Sequence, residues 1–325
     1  MKISRSIAFF PPLFIVFMPL SDLALAQPYP NKPVRLVVPT TPGGGTDVTA
    51  RVIARAMSER VGQQVVVDNR GGASGRIGSG MVANSPPDGY TLLMGGVTPL
   101  ATIPSVDSKL AYDPVKDFAP ISMVATTQYT LVVHPSLPVK SVKELVALGK
   151  RRPGQVNFSS VGTGSTAHLT AELLKQLANV NFVHVPYKGS GPAITAVLSG
   201  EVSFYFGSGP STLPHAKAGR LRPLATTGPK RSMPYPDLPT MNESVPGHIS
   251  TSWYGILAPA GTPNDVISRL HDAIVSSISD PVVAKQVAAS GAGPVSNSPK
   301  EFAAHIRSEL AKWRKLVKAA GIKAE

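Results

Sequence analysis

Apolar positions fall into short runs that alternate with helical stripes. The run at 34–39 is long enough for a buried strand and too short for a helix. Across 46–60, Val48, Val52, Ala56 and Met57 recur at helical spacing, which predicts an amphipathic helix with these residues toward the core. Short strands are predicted at 65–68 and 90–94. Strands alternating with helices imply α/β layers and a largely parallel sheet. The plan then returns: a strand at 156–160, a loop VGTGSTA, a helix at 168–178 with Leu169, Leu173, Leu174 and Leu177 on one side, and a strand at 182–185. Two copies are too few for a solenoid, so they predict two similar lobes. The runs at 130–133 and 253–257 are candidates for strands that cross between the lobes. Near the C-terminus, Ser298-Pro299-Lys300-Glu301 is a capping box with proline at the first helical position. A stripe of Phe302, Ile306, Leu310, Trp313 and Val317 follows, and Gly321 is expected to end that helix.

The first residues do not belong to this pattern. Lys2 and Arg5 precede an apolar run at 7–20, and Ala24-Leu25-Ala26 supplies small residues before a cleavage point. This predicts a secretory signal peptide at 1–26, with Gln27 the first mature residue. Prolines 11, 12 and 19 weigh against a membrane anchor. The remainder, roughly 300 residues, is long for one core and points to an exported, soluble, two-lobe protein. The expected division is 27–127 with 253–325 as one lobe and 128–252 as the other. The chain has no cysteine, which excludes a disulfide framework and thiolate chemistry. Its net charge is +13, but the cations are scattered apart from Lys312, Arg314, Lys315 and Lys318 on the last helix. With export, that argues against a nucleic-acid partner and for a solvated basic surface.

Candidate chemistry sits in two loops. VVPTTPGGGTDVTAR and SSVGTGSTA each place glycines and hydroxyl residues between a strand and a helix start. A helix N-terminus presents N–H groups that lack intrahelical acceptors, and the macrodipole adds positive potential there. Both loops therefore read as anion cradles, and facing each other they could grip a dicarboxylate at either end. Either loop alone reads equally well as a tight turn capped by Thr46 or Asp47. Competing motifs fail on detail. Gly162-x-Gly164-x-x-Ala167 lacks the ribose-binding acid after the next strand, and the first loop lacks the Gly-Lys-Ser/Thr of a P-loop. No Gly-x-Ser-x-Gly window marks a hydrolase nucleophile. The seven histidines form no zinc-binding pair. His271 and His305 are expected on solvated helix faces, His168 in a structural hydrogen bond, and Asp47 in a helical pair with Arg51.

Read in order, YPNKPVRLVVPTTPGGGTDVTAR, VVVDNRGGASGRIGS, PPDGYTLLMG, FSSVGTGSTAHL, VPYKGSGPA, AGRLRPLATTG and SWYGILAPAGTP resemble the extracytoplasmic receptors of tripartite tricarboxylate transporters, the Bug or TctC family. The resemblance covers the mature chain. It implies a two-lobe, type II-like periplasmic binding protein fold whose cleft closes on a small carboxylate. It further implies a monomer that delivers its ligand to membrane permease subunits without cofactor or metal. By position it implies ligand contacts from Thr40, Thr41, Pro42, Gly43, Gly44 and Thr46 in the first loop. The second loop contributes Ser160, Gly162, Thr163, Gly164, Ser165 and Thr166, with Thr98 and Tyr187 as further wall residues. The chain departs from the family at VSFYFG, where VDLMFD is common, so Ser203 and Gly207 replace acids. An acid at 207 would suit an amino group, and Gly207 therefore points to an acid without an amine. The first loop also has Thr40-Thr41 where aromatic or small apolar residues are common. A periplasmic sensor for the same ligand is the alternative role, and an exported enzyme a weaker one.

Overall fold

Residues 29–107, 109–232 and 235–320 are described by the structure, a computed structural model. The expected leader and the helix stop at Gly321 lie outside them. Strand β1 (Val34–Val38) is almost wholly buried, as befits a strand covered on both faces. A Gly-rich loop leads into α1 (Gly45–Val61), which Gly62 closes in the left-handed region at φ 74°. The helix packs against a later helix, α9 (Asn264–Ser279), as well as the sheet, so its buried face widens to Ala50, Ile53, Ala54 and Met57. Val48 and Val52 are left only half-buried.

The first lobe continues with β2 (Val65–Asn69), α2 (Arg76–Ala83), β3 (Thr91–Gly96) and α3 (Ile103–Val106). A 16-residue strand, β4 (Phe118–Val133), then leaves it. The second lobe comprises α4 (Val142–Arg151), β5 (Asn157–Ser160), α5 (Thr166–Ala178), β6 (Val183–Pro186), α6 (Ser190–Leu198), β7 (Phe204–Ser208), α7 (Gly209–Lys217), β8 (Arg222–Thr226) and α8 (Met241–Ser244). In α5, Ala167, Ala171 and Leu174 are buried, whereas Leu177, expected on the same side, is 42% exposed beside Gly247. The chain returns through β9 (Thr251–Pro259), α9 (Asn264–Ser279), α10 (Pro281–Ala289), β10 (Gly293–Pro294) and α11 (Pro299–Ala320). The capping box forms as expected, with Ser298 N–H donating to Glu301 (2.9 Å) and Glu301 N–H to Ser298 Oγ (3.3 Å).

The strand order is β2-β1-β3-β9-β4-β7-β5-β6, with β10 and β8 also on β4. Strands β2, β1 and β3 are mutually parallel, as are β6, β5 and β7. β4 and β9 run antiparallel to their neighbours, so the architecture is mixed rather than largely parallel. Among the described residues, β4 alone spans both sheets: Phe118 to Gln128 pair with β9, and Tyr129 to Val133 with β7 and β8. β9 pairs only within the first sheet, so the run at 253–257 is a central strand of that lobe rather than a crossing strand. The return passage lies just before it, where Ser250 N–H donates to Thr227 O (2.8 Å) and the Thr227 hydroxyl to Ser250 O.

One apolar cluster, including Leu131, Phe158, Phe204 and Phe206, fills the second lobe. Two others cover opposite faces of the first sheet, and Phe302, Ile306, Trp313 and Val317 of the α11 stripe belong to one of them. In it Phe302 is fully buried, edge-on to Trp253 at 5.4 Å and seated over Gly255. Phe302→Ala should cost about 3–5 kcal/mol, read as a lower urea midpoint; a loss under about 1 kcal/mol would show that the helix contributes little to the lobe.

Candidate functional site

Parallel strands present all their carboxyl ends on one edge, which is where ligands bind in open α/β sheets. Both lobes turn that edge inward. The loops after β1, β2, β3, β5, β6 and β7 enclose a chamber of about 370 Å³. Ser74 Oγ donates across the gap to Thr163 O (3.2 Å), and Thr98 and Thr166 hydroxyls meet at 3.0 Å. Thr41 abuts Gly189 and Ser208 abuts Gly45 so closely that a Cβ on either glycine would collide. The lobes are thus closed on one another.

In the first loop, Thr40, Thr41 and Thr46 line the chamber. Pro42 and Gly43 face outward, and Gly44 is buried against Ser190. The loop's shape is held by Asp47, which accepts from Gly43 N–H (2.9 Å) and Asn69 Nδ2 (2.9 Å) and pairs with Arg51 (3.0 Å). Burial opposes ionisation of this carboxyl, but those hydrogen bonds outweigh it and hold the group below its ordinary range. With Asp47 so engaged, no side chain caps the α1 N-terminus, and Gly45 and Thr46 present it to the chamber. The Thr40 and Thr41 hydroxyls are buried without a hydrogen-bond partner. These are donors in want of an acceptor.

The second loop differs. Gly162 and Thr163 line the chamber, but Ser160, Gly164, Ser165 and Thr166 do not. Their groups are spent internally. Ser165 Oγ caps His168 N–H (3.3 Å), Thr166 N–H donates to Thr98 Oγ1 (3.3 Å), and Gly164 N–H donates to His168 Nδ1 (3.1 Å). Ser160 Oγ accepts from Gly162 N–H (3.1 Å), lies 3.1 Å from Gly162 O and shares a hydrogen bond with His184 Nε2 (2.7 Å). His168 and His184 stack at 3.8 Å beneath the loop, and Phe158 stacks on both. Burial first, and the neighbouring His168 second, press the His184 pKa down to about 3.

Of the remaining predicted residues, Thr98 lines the chamber while clasping Thr166. Tyr187 lines it too, but its hydroxyl donates to Glu201 (2.7 Å). Burial, then Glu201, push that phenol up to about 12. Gly207 does not reach the chamber. Its Cβ direction runs into Thr212 and the Tyr205 ring (2.6 Å to Cε1), so an acid there would meet the phenol before any ligand. His271 and His305 are half-buried rather than solvated: His271 contacts Asn297 O (3.2 Å), and His305 lies edge-on to Trp253 (5.3 Å).

Three groups of wall residues were not anticipated. Ala73 and Ser74 line the chamber with positive φ (47° and 56°), a conformation that non-glycine residues hold only when their surroundings enforce it. The α6 N-terminus, with Gly189 and Ser190, also enters and has no side-chain cap. The floor carries buried Tyr129, Tyr205 and Tyr254, whose pKa values burial raises, so they stay neutral. The GGASG and KGSG runs were visible signals for the first two. Tyrosines within strands read simply as core.

A family model for the tripartite tricarboxylate transporter family receptor matches residues 49–322. Protein BugT of Bordetella pertussis is 38% identical over 313 residues, covering 96% of each chain. The solved structure of R. palustris Rpa4515 with adipate aligns at 39% identity and TM-score 0.89, over 91% of this chain and 99% of that one. MatC (Rpa3494) from Rhodopseudomonas palustris with bound malate aligns at 29% identity and TM-score 0.85, over 89% and 100%.

The His184 ring refuses a proton in the folded chain that the unfolded chain accepts below its ordinary value of 6.5. Stability should therefore fall as pH drops from about 6.5 toward 3. His184→Gln should flatten that part of a urea-midpoint profile taken between pH 7 and 4. Parallel wild-type and mutant profiles would show the ring to be open to protonation.

Proposed function

The chain belongs to the tripartite tricarboxylate transporter receptor family, and on that premise we propose that it captures a small carboxylic acid without an amine and hands it to membrane permease subunits. The observation that carries this reading is the first loop: an uncapped helix N-terminus lining a closed chamber, with two orphan hydroxyls buried in the wall beside it. A carboxylate satisfies such donors and is favoured by the helix dipole. Among the described wall residues none is Asp, Glu or His, so an ammonium group would find no carboxylate partner and a reaction no carboxylate or imidazole base. This supports a receptor for acids rather than for amino acids, and binding rather than turnover. Relatives solved with adipate and malate support the ligand class.

In this reading Thr40, Thr41 and Thr46 hold one carboxylate, Gly162 and Thr163 approach it from the other lobe, and Tyr187 walls the chamber. The lobes, 27–127 with 253–325 and 128–252, close about β4 without metal or cofactor. Closure excludes water and strengthens the hydrogen bonds inside. The leader at 1–26 directs the monomer to the periplasm.

A thermal-shift panel of mono-, di- and tricarboxylates, aromatic acids and amino acids, followed by calorimetry, tests this. An acid should raise the melting temperature and be recovered unchanged, while aspartate and glutamate should not bind. Tight amino-acid binding or chemical turnover of the hit would refute the reading. Gly45→Val, whose side chain would strike Ser208 and Tyr254, should weaken the hit by about tenfold or more. Unchanged affinity in a folded variant would remove α1 from the site.

A further inference from the structure

Helix α11 has two faces of opposite character. Phe302, Ile306, Leu310, Trp313 and Val317 are buried against the first lobe. The exposed side carries Lys300, Arg307, Lys312, Arg314, Lys315 and Lys318, separated only by Ala304, Ser308 and Ala311. At helical spacing Lys300, Arg307, Lys315 and Lys318 fall within about 80° of one another, along about 27 Å of helix. The macrodipole accounts for a cation in the last turn, where Lys318 lies, but it disfavours Lys300 in the first. The row therefore needs another explanation than the helix itself.

Neither acid of α11 neutralises this face. Glu301 is taken up by the capping box, accepting from Ser298 N–H (2.9 Å) and Ser298 Oγ (2.8 Å). Glu309 is buried and accepts from Lys312 Nζ (3.1 Å) and Trp313 Nε1 (3.2 Å). Arg314 borders a hollow shared with Asp107, Asp113 and Asp117. Lys300, Arg307, Lys315 and Lys318 make no ion pair among the described residues. What the row lacks narrows what it can meet. A protein partner is held through a buried apolar or aromatic centre, and only alanines and a serine lie between these cations. No large apolar side chain is exposed among the described residues of α11, so nothing there would enter a bilayer core. A straight row of free cations fits a flat anionic surface and is drawn to it by charge alone.

We propose that the exposed face of α11 is a docking surface for anionic phospholipid headgroups, on which the protein rests reversibly at the membrane. No described residue of α11 lines the chamber, so this contact leaves the ligand site unobstructed. The face acts in this way whichever ligand the chamber takes, and it needs only the expected export to bring the chain to a membrane. A receptor held there searches for its permease across a surface rather than through a volume.

Vesicle co-sedimentation of the exported protein tests this, with the apolar leader removed because it would bind lipid by itself. The protein should bind vesicles containing phosphatidylglycerol, ignore pure phosphatidylcholine, and be released by salt at about 0.5 M. Lys300→Glu, Arg307→Glu, Lys315→Glu and Lys318→Glu together should weaken binding to the anionic vesicles by more than about tenfold. Lys143→Glu, Lys150→Glu, Lys217→Glu and Lys230→Glu, at exposed positions of the second lobe, change the net charge equally and should cost less than about threefold. Equal losses in the two variants would assign the effect to net charge and overturn the docking face. So would no binding by the parent protein, binding to phosphatidylcholine alone, or binding that survives high salt. Retention on duplex DNA or polyglutamate without vesicle binding gives the face to another polyanion and also overturns the proposal. Should the α11 variant fail to fold, glutamine at the same positions replaces it and is read by the same criteria.

Discussion

Strand β4 has to serve two sheets at once. Up to Gln128 its hydrogen bonds go to β9, and from Tyr129 onward they go to β7 and β8. A slip of one residue would turn every side chain to the wrong face in both lobes, so its register is constrained from both ends. Irregularities near Pro120, Met123 and Leu131 absorb the twist of a strand this long. Tyr129, the first residue past the change of partners, has its N–H held by Thr227 Oγ1 (2.9 Å) while the residue lines the chamber. The element that spaces the lobes thus also supplies part of the floor between them.

With β4 in place, the parallel strands of each lobe aim their carboxyl ends at one another, and the loops there close the chamber. The two sides are not equivalent. The first loop keeps its donors free because Asp47 serves the loop backbone and leaves the α1 terminus uncapped. The second loop spends most of its donors on Ser160, Ser165, Thr98 and the stacked histidines, which makes it a rigid wall. Neutral phenols beneath complete a surface rich in donors and free of carboxylates. Such a surface can bind an anion without bringing a like charge near it.

Much of the frame was legible locally. Strand–loop–helix units at Val34 and Asn157, the Ser298 capping box, the α11 stripe and the Asp47–Arg51 pair are short-range patterns, and they appear where the periodicity put them. His168 was expected in a structural bond and accepts one from Gly164. Misplaced residues share a different property: their surroundings come from distant segments. Val48 and Val52 yielded the α1 core face to Ala50 and Ile53 because α9 packs beside the helix. His305 left solvent because Trp253 arrives against it.

By itself, the sequence determined two α/β lobes, two glycine- and hydroxyl-rich loops at helix starts, and the family resemblance these carry. Each follows from torsional preference and hydrophobic period within a few residues. Tertiary structure alone decided which donors remain free. A serine that caps its own helix and a threonine left unpaired look alike in sequence; only the approach of Thr98 to Thr166, or of Tyr205 across Gly207, separates them.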